Sequence, residues 1–204
     1  MFITFEGIDF SGKTTQAKLL VDALTQRGKA VVFLREPGGT VISERIRDIL
    51  LDHHHEAMTW RAELFLFSAA RTQLVEEVIR PALRKGSIVV CDRFVDSTTA
   101  YQGYGRGLPL ADVEAINRVA VSGTIPDLTV LVDVEPREIL NRLRLSGSSA
   151  DRMESEKIEF FTRVRQGYHA LSAAEPKRLF MVDGMQPVEV VRDTIWSRIQ
   201  SYIT

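Results

Sequence analysis

The chain of 204 residues holds a single cysteine, Cys91, so an internal disulfide is excluded and the lone thiol fits a reducing compartment. Strong charge of either sign is also missing: 26 basic and 27 acidic residues leave a net charge of −1. No global field recruits nucleic acid or an acidic membrane, and any anion site must be a local cluster of positive charge. No apolar run is long enough to span a bilayer. Met1 runs directly into a strand-like stretch, so no signal peptide is expected. Internal repeats, low-complexity tracts and linkers are absent too. The expectation is one soluble, cytoplasmic domain over 1–204, with no nucleic-acid or membrane partner and with apolar residues, 45% of the chain, sufficient for a core.

What is present is concentrated first in FITFEGIDFSGKTT, residues 2–15. Phe2 to Phe5 are β-branched or aromatic and read as a buried strand. Gly7, Ile8, Asp9, Phe10, Ser11, Gly12, Lys13 and Thr14 then fit G-x-x-x-x-G-K-[ST] at every fixed position, with Thr15 following. A helix to about residue 27 carries Leu19, Leu20, Ala23 and Leu24 on one face. Glycines let the backbone N–H groups turn toward a phosphate, and the helix N-terminus adds partial positive charge. Lys13 can reach the outer phosphates of a nucleotide, and the Thr14 hydroxyl can hold Mg²⁺.

Four further apolar runs alternate with helical patterns: 30–34 (AVVFL), 87–91 (SIVVC), 128–132 (LTVLV) and 179–182. The first is expected to be covered on both faces. Helices are expected over 41–51, 58–80, from Asp112, 136–145 and 154–173, and at the C-terminus with Val188, Val191, Ile195, Trp196 and Ile199. Asp96 or Ser97 can cap a short helix that holds Thr98, Tyr101 and Gln102, with 103–107 a glycine-rich loop. His53, His54 and His55 read as a polar surface loop, since three consecutive side chains do not easily face one metal. The alternation predicts a five-stranded parallel α/β sheet with helices on both faces. Ligands of such sheets bind at the carboxyl ends of the strands. The Gly7 loop, the turn at Arg35, the pair Asp92-Arg93 and Asp133 should therefore share one cleft.

The helix at 58–80 has an apolar stripe of Trp60, Leu64, Phe67, Leu74 and Val78, with Arg71 in its middle. A charge there either snorkels at the edge of the core or lines a pocket with Phe67, the ring stacking and the guanidinium donating. Arg35, Arg47, Arg71 and Arg93 could converge as a second anion site. Arg142, Arg144 and Arg152 flank the small polar segment 146–151, which reads as mobile and suits a lid over about 142–153. Two anion sites and a lid point to phosphoryl transfer between two phosphorylated molecules, driven by alignment and charge neutralisation.

Five stretches carry a closer likeness: FEGIDFSGKTT at 5–15, REPGGT at 35–40, LFSAARTQ at 66–73, DRFVDSTTAYQGYGRG at 92–107 and DRMESE at 151–156. With them the chain resembles the bacterial-type thymidylate kinases (dTMP kinases) of the nucleoside monophosphate kinase family from end to end. The resemblance implies a P-loop kinase fold, usually a homodimer, and the reaction of ATP with dTMP to ADP and dTDP with Mg²⁺. It implies that Asp9 meets the sugar 3′-hydroxyl and acceptor phosphate region, that Phe67 stacks on thymine, and that Arg71, Thr98 and Gln102 bond the base. Arg35, Arg47 and Arg93 would hold the acceptor phosphate, Tyr101 would pack on the deoxyribose, and Asp92 would join the Mg²⁺ shell through water. Some members carry arginine in the phosphate loop where this chain has Phe10. The resemblance therefore hands the transition-state charge to the lid, Arg152 first and Arg144 second. Another small-molecule or deoxynucleotide kinase and a nucleotide-switch module are the competing readings. Neither Asn-Lys-x-Asp nor Thr-Lys-x-Asp, the guanine readers of GTPase switches, occurs in the chain.

Overall fold

A computed structural model describes residues 1–146 and 151–203. Its elements run β1 (Phe2–Glu6), α1 (Lys13–Gln26), β2 (Val31–Arg35), α2 (Val41–Leu51), α3 (Trp60–Leu74), α4 (Arg80–Arg84), β3 (Ile88–Asp92), α5 (Val95–Thr98), α6 (Leu110–Val121), β4 (Leu128–Asp133), α7 (Arg137–Ser146), α8 (Ile158–Ala174), β5 (Leu179–Asp183) and α9 (Val188–Ile199). The five strands form one parallel sheet in the order β2-β3-β1-β4-β5, as the alternation of apolar runs and helices predicts.

Successive side chains of a strand point to opposite faces, and the core divides accordingly. Ile3, Phe5, Val90 and Val130 pack under α1 and α9 with Leu20, Leu24, Val191 and Ile195. Phe2, Val89 and Cys91 face the other way, against Leu74, Val75 and Ile79. Leu131 meets Phe160, Phe161, Val164 and Tyr168 of α8. Each such fully buried side chain is worth about 1.5–3 kcal/mol. The run 30–34 differs from its expectation: β2 is an edge strand, and Val31 to Phe33 are only half-buried.

Three local departures bear on the site. The expected helix 58–80 begins at Trp60 and continues to Arg84 through a wide π turn over Val75–Ile79. Pro81 has no N–H to give the turn before it, and its ring crowds the carbonyl four residues back, that of Glu77; the widened turn over Val75–Ile79 relieves both. Trp60 is exposed, whereas Glu63 takes the inward position on the first turn. The Gly103-Tyr104-Gly105 stretch is not a loop; a π turn over Thr99–Gly105 extends α5. Its glycines serve close packing. A Cβ on Gly105 would lie 2.7 Å from the Phe160 ring, and one on Gly167 of α8 would lie 2.7 Å from the ring of Tyr104. Finally, neither Asp96 nor Ser97 caps α5. Asp96 instead takes both Nη groups of Arg178 at 2.7 and 2.9 Å.

His53–His55 is an exposed 3-10 turn in which Asp52 Oδ1 accepts from the His54 amide at 2.9 Å. Helix α8 starts at Ile158, four residues later than its pattern suggests. The segment 146–151, read as mobile from its composition, has its central residues 147–150 outside the described ones. No helix of the described residues is long and apolar enough to cross a membrane.

Candidate active site

The phosphate-loop motif joins β1 to α1 as its pattern requires. Gly7 has φ 142° and Gly12 φ 91°. A Cβ at Gly7 would lie 2.5 Å from the Val132 carbonyl oxygen, so only glycine fits against the neighbouring strand. Lys13 is buried, with Nζ 3.4 Å from the Ile8 carbonyl oxygen. Burial and Arg93 pull its pKa below the ordinary lysine value, against the opposing charges of Asp92 and Asp9. Arg142 of α7 donates from Nη1 to the carbonyls of Phe10 and Ser11 at 3.1 and 3.2 Å, and from Nη2 to that of Gly184 at 3.0 Å. It braces the loop from behind, a role that its place beside the small polar segment did not suggest.

A cleft of about 470 Å³ opens from this loop along the carboxyl ends of β1, β2 and β3. Of the expected site residues, Asp9, Phe10, Gly12, Lys13, Thr14, Thr15, Arg35, Arg47, Phe67, Arg71, Asp92, Arg93, Thr98, Tyr101 and Gln102 all line it. Gly7, Ile8 and Ser11 complete the loop behind them. Asp133 is not brought in. Its carboxylate is held by Arg165 at 2.8 and 2.7 Å and by His169 at 3.0 Å, which turns it toward α8.

At the floor, Thr14 Oγ1 donates to Asp92 Oδ2, and Asp92 Oδ1 is buried without a partner. A hydroxyl and a carboxylate with a spare oxygen are hard donors of the kind Mg²⁺ takes alongside phosphate and water. Arg93 sits in the left-handed region, φ 72°, which throws its side chain back across the end of β1. Nη2 meets Asp9 Oδ1 and lies 3.1 Å from the Tyr101 hydroxyl, while Nη1 donates to the Gly7 carbonyl at 3.0 Å and Ser97 Oγ at 3.1 Å. Tyr101 donates to Asp9 Oδ2 at 2.7 Å. Burial would raise the Asp9 pKa, but Arg93 and Lys13 hold it below the ordinary carboxylate value.

The other wall is built on α3. Arg71 is buried, with Nε 2.7 Å from Glu36 Oε2, Nη1 2.7 Å from Thr98 Oγ1 and 3.3 Å from Asn117 Oδ1, and Nη2 2.9 Å from the Phe94 carbonyl. Glu36, one residue past Arg35, is its counter-ion, and its role escapes a reading of local pattern because the pair is 35 residues apart. Arg35 and Arg47 share the Pro37 carbonyl at 2.9 and 3.0 Å, and Arg35 also meets Glu44 at 3.0 Å. The lid arginines lie elsewhere. Arg144 is exposed on α7. Arg152 donates from Nε to the Leu50 carbonyl and from Nη2 to Glu63 Oε2, both at 2.7 Å. From the described part of the lid, Asp151 and Met153 reach the cleft, as does Glu154 just after it, and Arg152 does not line it.

Behind Arg93 stands Glu6, fully buried, whose Oε1 accepts the Phe94 amide at 2.7 Å and whose Oε2 accepts from Ser97 at 2.6 Å and Tyr168 at 2.8 Å. Burial and Asp96 push its pKa up from 4.5 to about 7, against Ser97, Arg93 and Tyr168. Between those values the unfolded chain releases the proton that the folded chain keeps, so stability falls as pH rises through that window. Glu6→Gln imitates the protonated form. Its unfolding free energy should drop less than the parent's between pH 5 and pH 8, by about 1–3 kcal/mol. Urea melts at the two pH values check this; equal slopes for both proteins would exclude it.

The sequence model of the thymidylate kinase family matches residues 5–195. The chain belongs to the thymidylate kinase family. It is 47% identical to a thymidylate kinase of Chlorobaculum parvum, over 98% of this chain and 96% of that one. It is 50% identical to one of Pelotomaculum thermopropionicum, over 93% and 88%. The crystal structure of the thymidylate kinase of Ehrlichia chaffeensis superposes with a TM-score of 0.80 at 34% identity, covering 98% of both chains. The likeness to the thymidylate kinase family read from the motifs thus holds over nearly the whole chain, and the P-loop kinase fold with it.

Proposed function

We propose that the chain transfers the γ-phosphoryl group of ATP to dTMP, giving ADP and dTDP, with Mg²⁺ as cofactor. One observation carries the reading for this molecule: a single cleft joins the phosphate loop to an aromatic–guanidinium wall, Phe67 with Arg71. The loop amides of 7–15 and Lys13 take the donor phosphates. Thr14 and Asp92 hold Mg²⁺, which supplies positive charge to the phosphate oxygens when bound. Arg35, Arg47 and Arg93 take the acceptor phosphate, and Asp9 with Tyr101 takes the sugar. Phe67 stacks on the base. Arg71, Thr98 and Gln102 meet its polar edge. The acceptor phosphate attacks directly, so these residues align two anions and offset their repulsion without a covalent intermediate. A coupled assay of a panel of monophosphates with ATP tests this. The expected result is the highest kcat/KM for dTMP and little hydrolysis without acceptor. Preference for another acceptor, or turnover that ignores acceptors, would overturn it.

Removing the Phe67 ring is expected to cost about 1–3 kcal/mol of dTMP binding, the usual worth of a base stacked on an aromatic ring. Phe67→Ala should leave ATP affinity within about twofold, because the donor site has its own contacts at the loop. Titration calorimetry with each nucleotide separates the two; equal weakening would make Phe67 a structural residue.

The working form is a homodimer, and its place is the cytoplasm, where the buried thiol of Cys91 stays reduced. Three helices that pack side by side, α2, α3 and α6, turn Val41, Phe65 and Val119 to solvent at 80, 58 and 77% exposure. Large apolar side chains left exposed on neighbouring helices are the usual mark of a contact surface. Phe65→Asp should move the protein to the monomer in sedimentation equilibrium; an unchanged mass would put the interface elsewhere.

A further inference from the structure

Glu63 is fully buried on α3 and is not among the residues that line the cleft. Its carboxylate nevertheless touches one that does. Oε1 accepts Gln102 Nε2 at 2.9 Å and Arg106 Nε at 3.0 Å, and Oε2 accepts Arg106 Nη2 at 3.1 Å and Arg152 Nη2 at 2.7 Å. Four donors fill the lone-pair directions that a carboxylate offers. Burial alone would raise its pKa, but the hydrogen bonds and charge of Arg106, with Gln102 and Arg152, hold it below the ordinary value. An ionised carboxylate only accepts. Gln102 must therefore turn its amide nitrogen to Glu63, which leaves its carbonyl oxygen for the cleft.

We propose that Glu63 is the positioning residue for base selection: by holding the nitrogen of Gln102 it aims the carbonyl oxygen at N3 of the acceptor base, so that the site takes a pyrimidine with a hydrogen on N3 and refuses cytosine. The role deepens the function given above, since it rests on Gln102 meeting the base edge. Thymine carries N3–H, a donor that a carbonyl oxygen accepts. Cytosine presents a bare N3, an acceptor, and two facing acceptors leave both unpaired in a desolvated pocket. A free carboxamide could rotate by half a turn and serve either base. Tied to Glu63, it cannot.

The Glu63→Gln variant separates the two sides of the carboxylate. Its single oxygen has to serve either the Oε2 side, where Arg106 Nη2 and Arg152 Nη2 converge, or the Oε1 side, with Arg106 Nε and neutral Gln102. Charge-assisted bonds are the stronger, so the oxygen goes to the side with two guanidinium N–H groups, and the new NH₂ faces Gln102 and, at the cost of one bond, Arg106 Nε. Gln102 then turns its own oxygen to residue 63 and its nitrogen to the cleft. The Glu63→Asp variant keeps the charge that both arginines need but withdraws the acceptor from Gln102.

The test uses the purified full chain with ATP and either dTMP or dCMP, alongside thermal melts of each variant. Both Glu63 variants are expected to narrow the ratio of kcat/KM for dTMP over dCMP by about tenfold or more. The change should sit in KM for the acceptor, with KM for ATP within about twofold. Gln102→Ala is expected to weaken dTMP without any gain for dCMP. A folded Glu63 variant that keeps the parent ratio, while Gln102→Ala does weaken dTMP, overturns the role of Glu63 alone. If Gln102→Ala leaves KM for dTMP unchanged, the base-edge reading falls and the role of Glu63 falls with it.

Discussion

Lys13→Ala is expected to lower kcat by about 10²-fold or more, with a smaller change in ATP affinity. The separation of the two effects follows from how the loop is built. Ground-state binding of a triphosphate draws on the backbone amides and on the N-terminus of α1, and none of these depends on the side chain at position 13. Lys13 adds a charge that is buried and aimed, in the field of Asp9, Asp92 and Arg93. Its worth grows as negative charge shifts onto the bridging and equatorial oxygens of the group in flight. Arginine is a poor replacement, because a bulky planar fork does not reproduce the compact ammonium buried beside the Ile8 carbonyl. Single-turnover rates and the dissociation constant of an ATP analogue measure the two quantities. Near-parent turnover in Lys13→Ala would remove the loop from the chemistry.

The parts of the site that a sequence reading reaches are those written in local pattern. The glycine loop is visible because strand, spacing and helix agree over residues 2–24. Phe67 and Arg71 are visible because four residues separate neighbours on one helix face. The same rule places Glu63 one turn before Phe67, yet an apolar stripe drawn through Trp60 passes it over; a carboxylate on an inward face is the signal that was there to use. Gly103 and Gly105 read as a loop because composition carries no record of α8 pressing on them. Asp133 has the right address, a strand end, but the wrong neighbour, Arg165, 32 residues away in sequence. Ion pairs across such separations decide which charges are free to work, and they are set by packing, not by spacing. The same limit applies to Glu6 and Glu36: each sits beside a residue of the motif and owes its role to a partner from another element.

Arg93→Ala is expected to lower kcat by about 10³-fold, the usual worth of an arginine that meets transition-state charge in phosphoryl transfer. The phosphate loop brings no arginine of its own, because position 10 is phenylalanine. From the motif alone the missing cation falls to Arg152. Its guanidinium, however, lies between the Leu50 carbonyl and Glu63, with the side chain 9% exposed. Arg93 lines the cleft, with Lys13, Asp9 and Asp92 beside it, and its two Nη atoms are already fixed by Asp9, Tyr101, the Gly7 carbonyl and Ser97. A guanidinium held on so many sides has little left to reorganise when charge develops. Arg93→Lys should recover only part of the loss, since an ammonium cannot span Asp9 and a phosphate as a fork does. Arg152→Ala should behave differently: it leaves the buried carboxylate of Glu63 short of one partner, and the loss should appear first as a higher KM for dTMP. Arg144, exposed on α7, should matter least of the three. Measuring kcat and both KM values for the three alanine variants and for the Arg144/Arg152 double variant decides the matter. Should the double variant lose kcat by about 10³-fold with KM for dTMP unchanged, the lid arginines carry the transition-state charge and Arg93 only positions the acceptor.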